Sequence, residues 1–417
     1  MTASRLLFAL LLAAGTTPAA WQEMAPVPVT PSGLPVHSGG CLTTARIGDT
    51  TFVFAAKGNS TTDFYRYNPT SNRWVVLWSV PLGAENRPVD DGACMCFDGE
   101  RYIYLVKGNY SLGFHRYDIV TDSWTQLADI PLGLSGEPVT GGTDVCFVAQ
   151  GDSGWVYLLK GNRCEFYRYS VNQYAWHSLA DAPAGAAAYW REGSWLVYDN
   201  DRRILAHKSY YHEFYLYDLD ALAWQQAGPG MPLVGSSGRI VRSDDGSSAA
   251  YWNGAIYALK GNGSGEFWRY DLAASNWTEL ESVPSIGSTG RIKRPNYGAD
   301  ITLADSALFA LKGNTCHEFW RCAPPPPALA GFAPMVFAAL RPVSEPLRRR
   351  VRVRCWVPEC SPVRWRLTDA AGRIVGRAEA RVDYGAILDL GPCSPGVYFL
   401  TVESGPLALV KRLTVAR

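Results

Sequence analysis

The stretch "ALKGNGSGEFWRYDLAASNW", residues 258–277, decides the fold, because the chain writes nearly the same thing six times. A Lys-Gly-Asn triplet stands at Lys57, Lys107, Lys160, Lys260 and Lys312, with a degenerate copy, "HKSYYHEF", around Lys208. Within each copy the order is fixed. An apolar segment such as "AIYAL" comes first, then the Lys-Gly turn, then "DFYRY", "GFHRY", "EFYRY", "EFYLY", "EFWRY" or "EFWRC". A polar turn follows, and then Trp74, Trp124, Trp176, Trp224 or Trp277. The copies recur every ~50 residues, the length of one propeller blade, and four strands per copy make one antiparallel sheet.

The segment "RYDIVTDSW" (116–124) resembles the kelch-type β-propeller repeat, with Lys-Gly-Asn standing where most kelch repeats carry a Gly-Gly doublet. The sixth copy stops at Cys322 without its tryptophan strand, and "WQEMAPVP" from Trp21 matches "WTQLADIP" from Trp124. Trp21 should therefore supply the outer strand of the last blade, leaving no open sheet edge between the ends of the ring. The expected fold class is all-β: a six-bladed β-propeller over 21–322, followed by a small immunoglobulin-like β-sandwich.

The flanks carry other signals. Arg5, the apolar run 6–14 and the small residues ending at Ala20 read as a signal peptide over 1–20, implying a secreted or cell-surface protein. No second apolar run of ~18 residues appears, so no integral membrane span is expected. The formal charge of +1 gives no reason to expect a nucleic-acid partner. A Pro-rich linker over 323–342 begins with "APPPPALAGFAP", and alternating strands return over 343–417. The stretch from "LTDAAGRIV" to "LVKRLTVAR" resembles the C-terminal sorting domain of type IX secretion substrates. The likeness rests on Asp369, Gly372, Arg373, the run Gly396, Val397 and Tyr398, and basic Lys411, Arg412 and Arg417. It implies export across an outer membrane through the secretion machinery; a generic immunoglobulin-like module is the alternative.

Most of the repeated residues read as structural. Asp63, Glu165, Glu213, Glu266 and Glu318 follow the lysines across a tight hairpin, and only the second copy lacks the acid, having Gly113. Such cross-strand pairs are expected to add only ~0.2–1 kcal/mol each, so that Lys260→Met should cost little. A ring of cations around an anionic ligand is the functional alternative. The aromatics Phe64, Phe114, Phe166, Phe214, Phe267 and Phe319 alternate with Tyr or Trp, as blades that pack through both faces demand. Of the 10 cysteines, Cys41, Cys94, Cys96 and Cys146 fall on inner strands as buried thiols. Cys164 and Cys316 sit in opposite blades, too far apart to bridge, and Cys360 with Cys393 is the pair expected if any forms.

The loops between blades share a face with the lysine turns, do not repeat, and carry the charge. Variable loops on a rigid ring are where binding normally sits. The candidate ligand-binding residues are His37, Arg87, Asp90, Asp91, Trp190, Arg191, Glu192, Arg242, Asp244, Asp245, Lys293, Arg294 and Asn296. No His-Glu-x-x-His, Cys-x-x-Cys, Gly-x-Ser-x-Gly or Walker-type motif occurs, so no metal, cofactor or catalytic residue is assigned. The expectation is a monomeric, non-catalytic binding module for a glycan or protein ligand. The alternative is a carbohydrate-active enzyme that uses paired carboxylates on the same face.

Overall fold

Short runs of β-branched and aromatic residues, each cut off by a polar turn, make every regular element among the described residues a strand. The computed structural model describes residues 21–150, 153–324, 350–355, 361–382, 386–392, 394, 396–404 and 407–415. The expected signal peptide, most of the linker and the Cys360–Cys393 pair lie outside them. No helix among them is long and apolar enough to cross a membrane.

Six four-stranded antiparallel sheets follow one another. Blade one runs through Cys41–Ile47, Thr50–Ala56, Phe64–Asn68 and Arg73–Val76. Blade two runs through Cys94–Phe97, Tyr102–Val106, Phe114–Asp118 and Ser123–Gln126. Blade three has Asp144–Gln150, Ser153–Leu159, Phe166–Ser170 and Ala175–Ser178; blade four has Trp195–Tyr198, Arg203–Lys208, Glu213–Asp218 and Ala223–Gln226. Blade five is built from Ser248–Trp252, Ala255–Leu259, Phe267–Asp271 and Asn276–Leu280. Blade six has Asp300–Ala304, Ala307–Leu311 and Phe319–Cys322, and its fourth strand is Trp21–Glu23 from the other end of the ring. Trp21 lies opposite Cys322 and Glu23 opposite Trp320. Consecutive inner strands touch, and Asp300–Ala304 touches Cys41–Ile47, so the sheets close into a six-bladed propeller.

The repeated residues each have a mechanical task. The Tyr-Asp pattern ends the third strand with an acid or amide that folds over its own turn. Asp118 accepts the N–H of Val120 (2.9 Å) and Asp271 those of Ala273 (3.0 Å) and Ala274 (2.9 Å). Each blade's tryptophan then reaches back to the chain leaving the preceding blade. Trp74 donates to the carbonyl of Ala25 (2.8 Å), Trp124 to Trp78, Trp176 to Ala128, Trp224 to Ala180 and Trp277 to Pro229.

Between blades the phenylalanine of one packs edge-on against the Tyr and Trp of the next. Phe64 lies 5.0 Å from Tyr117 and 4.9 Å from Trp124; Phe319 lies 4.9 Å from both Tyr67 and Trp74. Such pairs contribute ~0.5–1.5 kcal/mol beyond their burial. The interleaved arginines pack too, Arg116 4.2 Å over Tyr102 and Arg168 4.1 Å over Trp155.

In the C-terminal region Arg350–Cys355 pairs with Ala386–Pro392, and a second sheet runs in the order Ile374–Val382, Ser361–Asp369, Gly396–Ser404, Leu407–Val415. Trp365, Leu367, Tyr398 and Leu400 are buried. Asp369 closes the turn between the first two of these strands by accepting the N–H and Nε–H of Arg373 (2.9 and 2.8 Å).

Candidate functional site at the channel mouth

The loops between blades differ in their side chains but repeat in their backbone. Gly39, Gly92, Gly142, Gly193, Gly246 and Gly298 are all left-handed, with φ between 74° and 85°. Each packs against a backbone carbonyl of the next loop round the ring: Asp90, Thr140, Arg191, Asp244, Asn296 and, closing the circle, His37. A β-carbon at any of them would overlap that carbonyl, which is why the position is glycine. The residues just before the glycines are Ser38, Asp91, Gly141, Glu192, Asp245 and Tyr297. This register fixes which loop side chains meet at the central channel.

They meet at a cavity of about 540 Å³ whose rim includes Ser38, Asp91, Glu192, Asp245 and Tyr297. Asp91 accepts the N–H of Gly141 (3.1 Å). Its Oδ2 and Cγ of Glu192 each lie 2.6 Å from where a β-carbon on Gly141 would sit, so that glycine lets the two acids approach. Burial pushes the Asp91 carboxyl up, helped by the Glu192 charge and opposed by the Gly141 hydrogen bond. Burial and the charges of Asp244, Glu192 and Asp91 push Asp245 up to about 7. Asp244 is raised by burial against the pull of Arg191. Across the rim, Tyr297 stacks on His37 with ring centroids 5.1 Å apart. The mouth thus gathers several acids held in mutual repulsion, an aromatic pair and a hydroxyl.

Other candidates brace the loops. Arg191 and Arg242 each stand 4.8 Å over the ring of Tyr210, and Arg242 donates to the Tyr210 carbonyl (2.8 Å). Arg87 and Lys293 donate to the carbonyls of Asn109 (2.9 Å) and Asn314 (2.7 Å). Asp90 accepts the hydroxyl of Ser60. The Arg294 carbonyl takes the Asn314 amide (3.1 Å), and the Asn296 N–H bonds the Lys312 carbonyl (3.2 Å). Trp190 does not belong with them. It is fully buried against Tyr215 and Trp224, in the loop slot held elsewhere by Val36, Val89 and Val139. It seals two blades and cannot touch a ligand at the surface.

The repeated lysines also differ from expectation. Rather than lying in exposed hairpin pairs, the side chains of Lys57, Lys160, Lys208, Lys260 and Lys312 are fully buried. Lys260 Nζ donates to Glu266 (2.6 Å) and to the carbonyls of Pro232 (2.7 Å) and Leu233 (3.3 Å), so it pins the loop arriving from blade four. Blade two solves its missing acid by reversal. Glu85, from the loop, accepts the N–H of Leu112 (3.0 Å) and the Ser111 hydroxyl, while Lys107 donates to the carbonyls of Leu82 (2.5 Å) and Arg87 (2.9 Å).

Two channel acids escaped the sequence reading. Asp144 accepts the N–H of Leu196 (2.7 Å), clipping blade three to blade four. Asp300 accepts that of Leu42 (2.6 Å), clipping blade six to blade one. Burial pushes them up to about 7 and about 6. Each opens an inner strand with an acid where apolar residues prevail, a departure visible in "GGTDVCF" and "YGADITL". Among the described residues no group of three or more His, Cys, Asp or Glu side chains is placed to hold a metal ion.

Fold and mouth together define a six-bladed β-propeller with an acid-rimmed channel. No family model matches the chain, and no curated protein does. Among solved structures, that of YjhT is similar at 14% identity and a TM-score of 0.47, over 72% of this chain and 95% of that one. A structural-genomics protein of unknown function from Bacteroides thetaiotaomicron VPI-5482 is similar at 12% identity and a TM-score of 0.49, over 73% of this chain and 76% of that one.

Proposed function

We propose that the propeller is a secreted or cell-surface binding module that holds a neutral or amine-bearing saccharide at its channel mouth. The observation that carries this is the convergence of Asp91, Glu192 and Asp245 on one open cavity, with Asp245 pushed up to about 7. Acids held together at a cost to the fold are a mark of function. Carboxylates accept hydrogen bonds from sugar hydroxyls, an ammonium would relieve their repulsion, and the Tyr297–His37 stack offers a flat apolar rim. Anionic sugars are disfavoured by the same charges.

The Lys-Gly-Asn repeats support a place among divergent kelch-type propellers. The strands described between Arg350 and Val415 support a sorting-domain role for 343–417 in export, to which the sequence readings of a signal peptide over 1–20 and a linker over 323–342 add. A second reading, a carbohydrate-active enzyme, is favoured by the Asp245 titration, because an acid near 7 beside other carboxylates suits proton donation to a leaving group. A glycan array probed with the full chain tests the first reading. Retention of neutral or amine-bearing glycans is expected, and retention of anionic glycans alone overturns it. Release of reducing sugar from the retained glycans would establish the enzyme.

A further inference from the structure

In four blades the Asn of the Lys-Gly-Asn turn donates its side-chain amide to the carbonyl just ahead of the mouth loop. Asn59 reaches Pro35 (3.0 Å), Asn109 reaches Pro88 (3.2 Å), Asn262 reaches Arg242 (3.1 Å) and Asn314 reaches Arg294 (3.1 Å). Blade three breaks the pattern. Asn162 turns away from Pro138 and donates to Glu192 Oε1 (3.4 Å), while its N–H bonds the Trp190 carbonyl (2.6 Å). Gly58, Gly108, Gly261 and Gly313 are left-handed in these turns and Gly161 is not. The blade-three turn therefore leans toward blade four and opens a groove of about 360 Å³ behind it.

Tyr110 and Tyr189, 61% and 40% exposed, line the groove, with Thr140 and Gly161 between and the Glu137–Arg163 ion pair (3.5 Å) beside them. The Tyr211 hydroxyl donates to that of Tyr189 (2.9 Å) and props it. Nothing in the turn calls for large residues. Tyr110 in blade two occupies the left-handed slot that Ser60, Gly263 and Thr315 fill in blades one, five and six, and the turns of blades three and four, one residue shorter, carry Arg163 and Tyr211. Tyr110 even takes a left-handed backbone, φ 52°, which strains a bulky residue. The inner end of the groove reaches the mouth: the Thr140 hydroxyl is 3.5 Å from Asp91, and Asn162 touches Glu192.

We propose that this groove is an extension subsite for a neutral or amine-bearing oligosaccharide whose end sugar sits in the mouth. The inference rests on the saccharide reading above. The two tyrosines offer ring faces to the apolar faces of successive pyranose units. Glu137, Arg163 and Asn162 supply the acceptors and donors for the hydroxyls between them.

The test is calorimetric titration of the full chain with glucose, xylose, mannose and N-acetylglucosamine and with cello-, xylo-, manno- and chitotetraose. In at least one series the tetramer should bind ten times more tightly than its monomer. Tyr110→Ser, which copies Ser60, combined with Tyr189→Ser should remove that gain at an unchanged melting temperature, the monomer serving as internal reference. Tyr174→Ser, on an exposed turn elsewhere in blade three, should keep it. Monomer binding without a gain from length, or a gain that survives the double substitution, overturns the groove and leaves the mouth standing. Failure of every probe to bind overturns both.

Discussion

The indole of Trp21 donates to the carbonyl of Glu281 (2.9 Å), the sixth of six equivalent bonds by which each blade's tryptophan grips the chain leaving the blade before it. Its ring also packs edge-on against Phe267 at 5.1 Å. The N-terminal strand is thus the clasp of the ring. Removing residues 21–28 should unfold the propeller, and Trp21→Ala should cost ~3–5 kcal/mol. Denaturant titration checks both; a truncated chain with the native midpoint would refute the closure.

The glycine ring supplies a paired comparison. Gly290 and Gly298 are both left-handed, at 68° and 74°. A β-carbon at Gly290 meets nothing within 4 Å, whereas one at Gly298 overlaps the His37 carbonyl. Gly290→Ala should cost only the backbone term of ~1–2 kcal/mol, and Gly298→Ala well beyond it. Equal costs by thermal melting would show that the loops do not interlock.

Buried lysines set another scale. Lys260→Met takes the paired cation from the buried Glu266, which keeps only the Trp268 indole (3.2 Å), and a donor from the Pro232 carbonyl, so a loss of ~3–5 kcal/mol is expected. Lys107→Met should cost less, because Lys107 bonds only carbonyls and burial already draws its pKa down. Chemical denaturation of the two variants ranks them.

Asp144 makes stability depend on pH. Its carboxyl titrates at about 7 in the fold against 3.8 ordinarily, so between these values the folded chain holds the extra proton. Its stabilising contribution is full below about 4 and is lost as pH rises through about 7. Asp144→Asn cannot titrate. From pH 4 to 7 its stability should rise relative to the native protein by up to ~1.4 kcal/mol per pH unit. Parallel stability curves would remove Asp144 from the account.

Much of this architecture was legible in order and spacing. The ~50-residue period marked the blades, and the match between Trp21 and Trp124 placed the closing strand, since both follow from which residues must bond to the neighbouring blade. Burial was harder to read. Lys260 and Trp190 look like surface residues because a lysine head and a loop position normally meet water, and only the closed ring shows what covers them. Asp91, Glu192 and Asp245 stand out in the sequence as charged loop residues, but their convergence depends on the glycine that follows each, and that backbone register does not show in the differing side chains of the loops. The groove at Tyr110 and Tyr189 needs the tilt of one turn; the spacing records that this turn is short, since Glu165 follows Lys160 by five residues where Asp63, Glu266 and Glu318 follow their lysines by six, but not which way it leans.

Titration of the Asp91→Asn, Asp245→Asn double variant with the same monosaccharides and tetrasaccharides tests the acidic mouth most directly. The substitutions keep the shape of the rim and remove two of its mutually repelling charges, so the melting temperature should hold or rise. The expected result is at least a tenfold loss of affinity for the saccharide that the native protein binds. Native affinity in the folded variant would contradict the acidic mouth as the binding site.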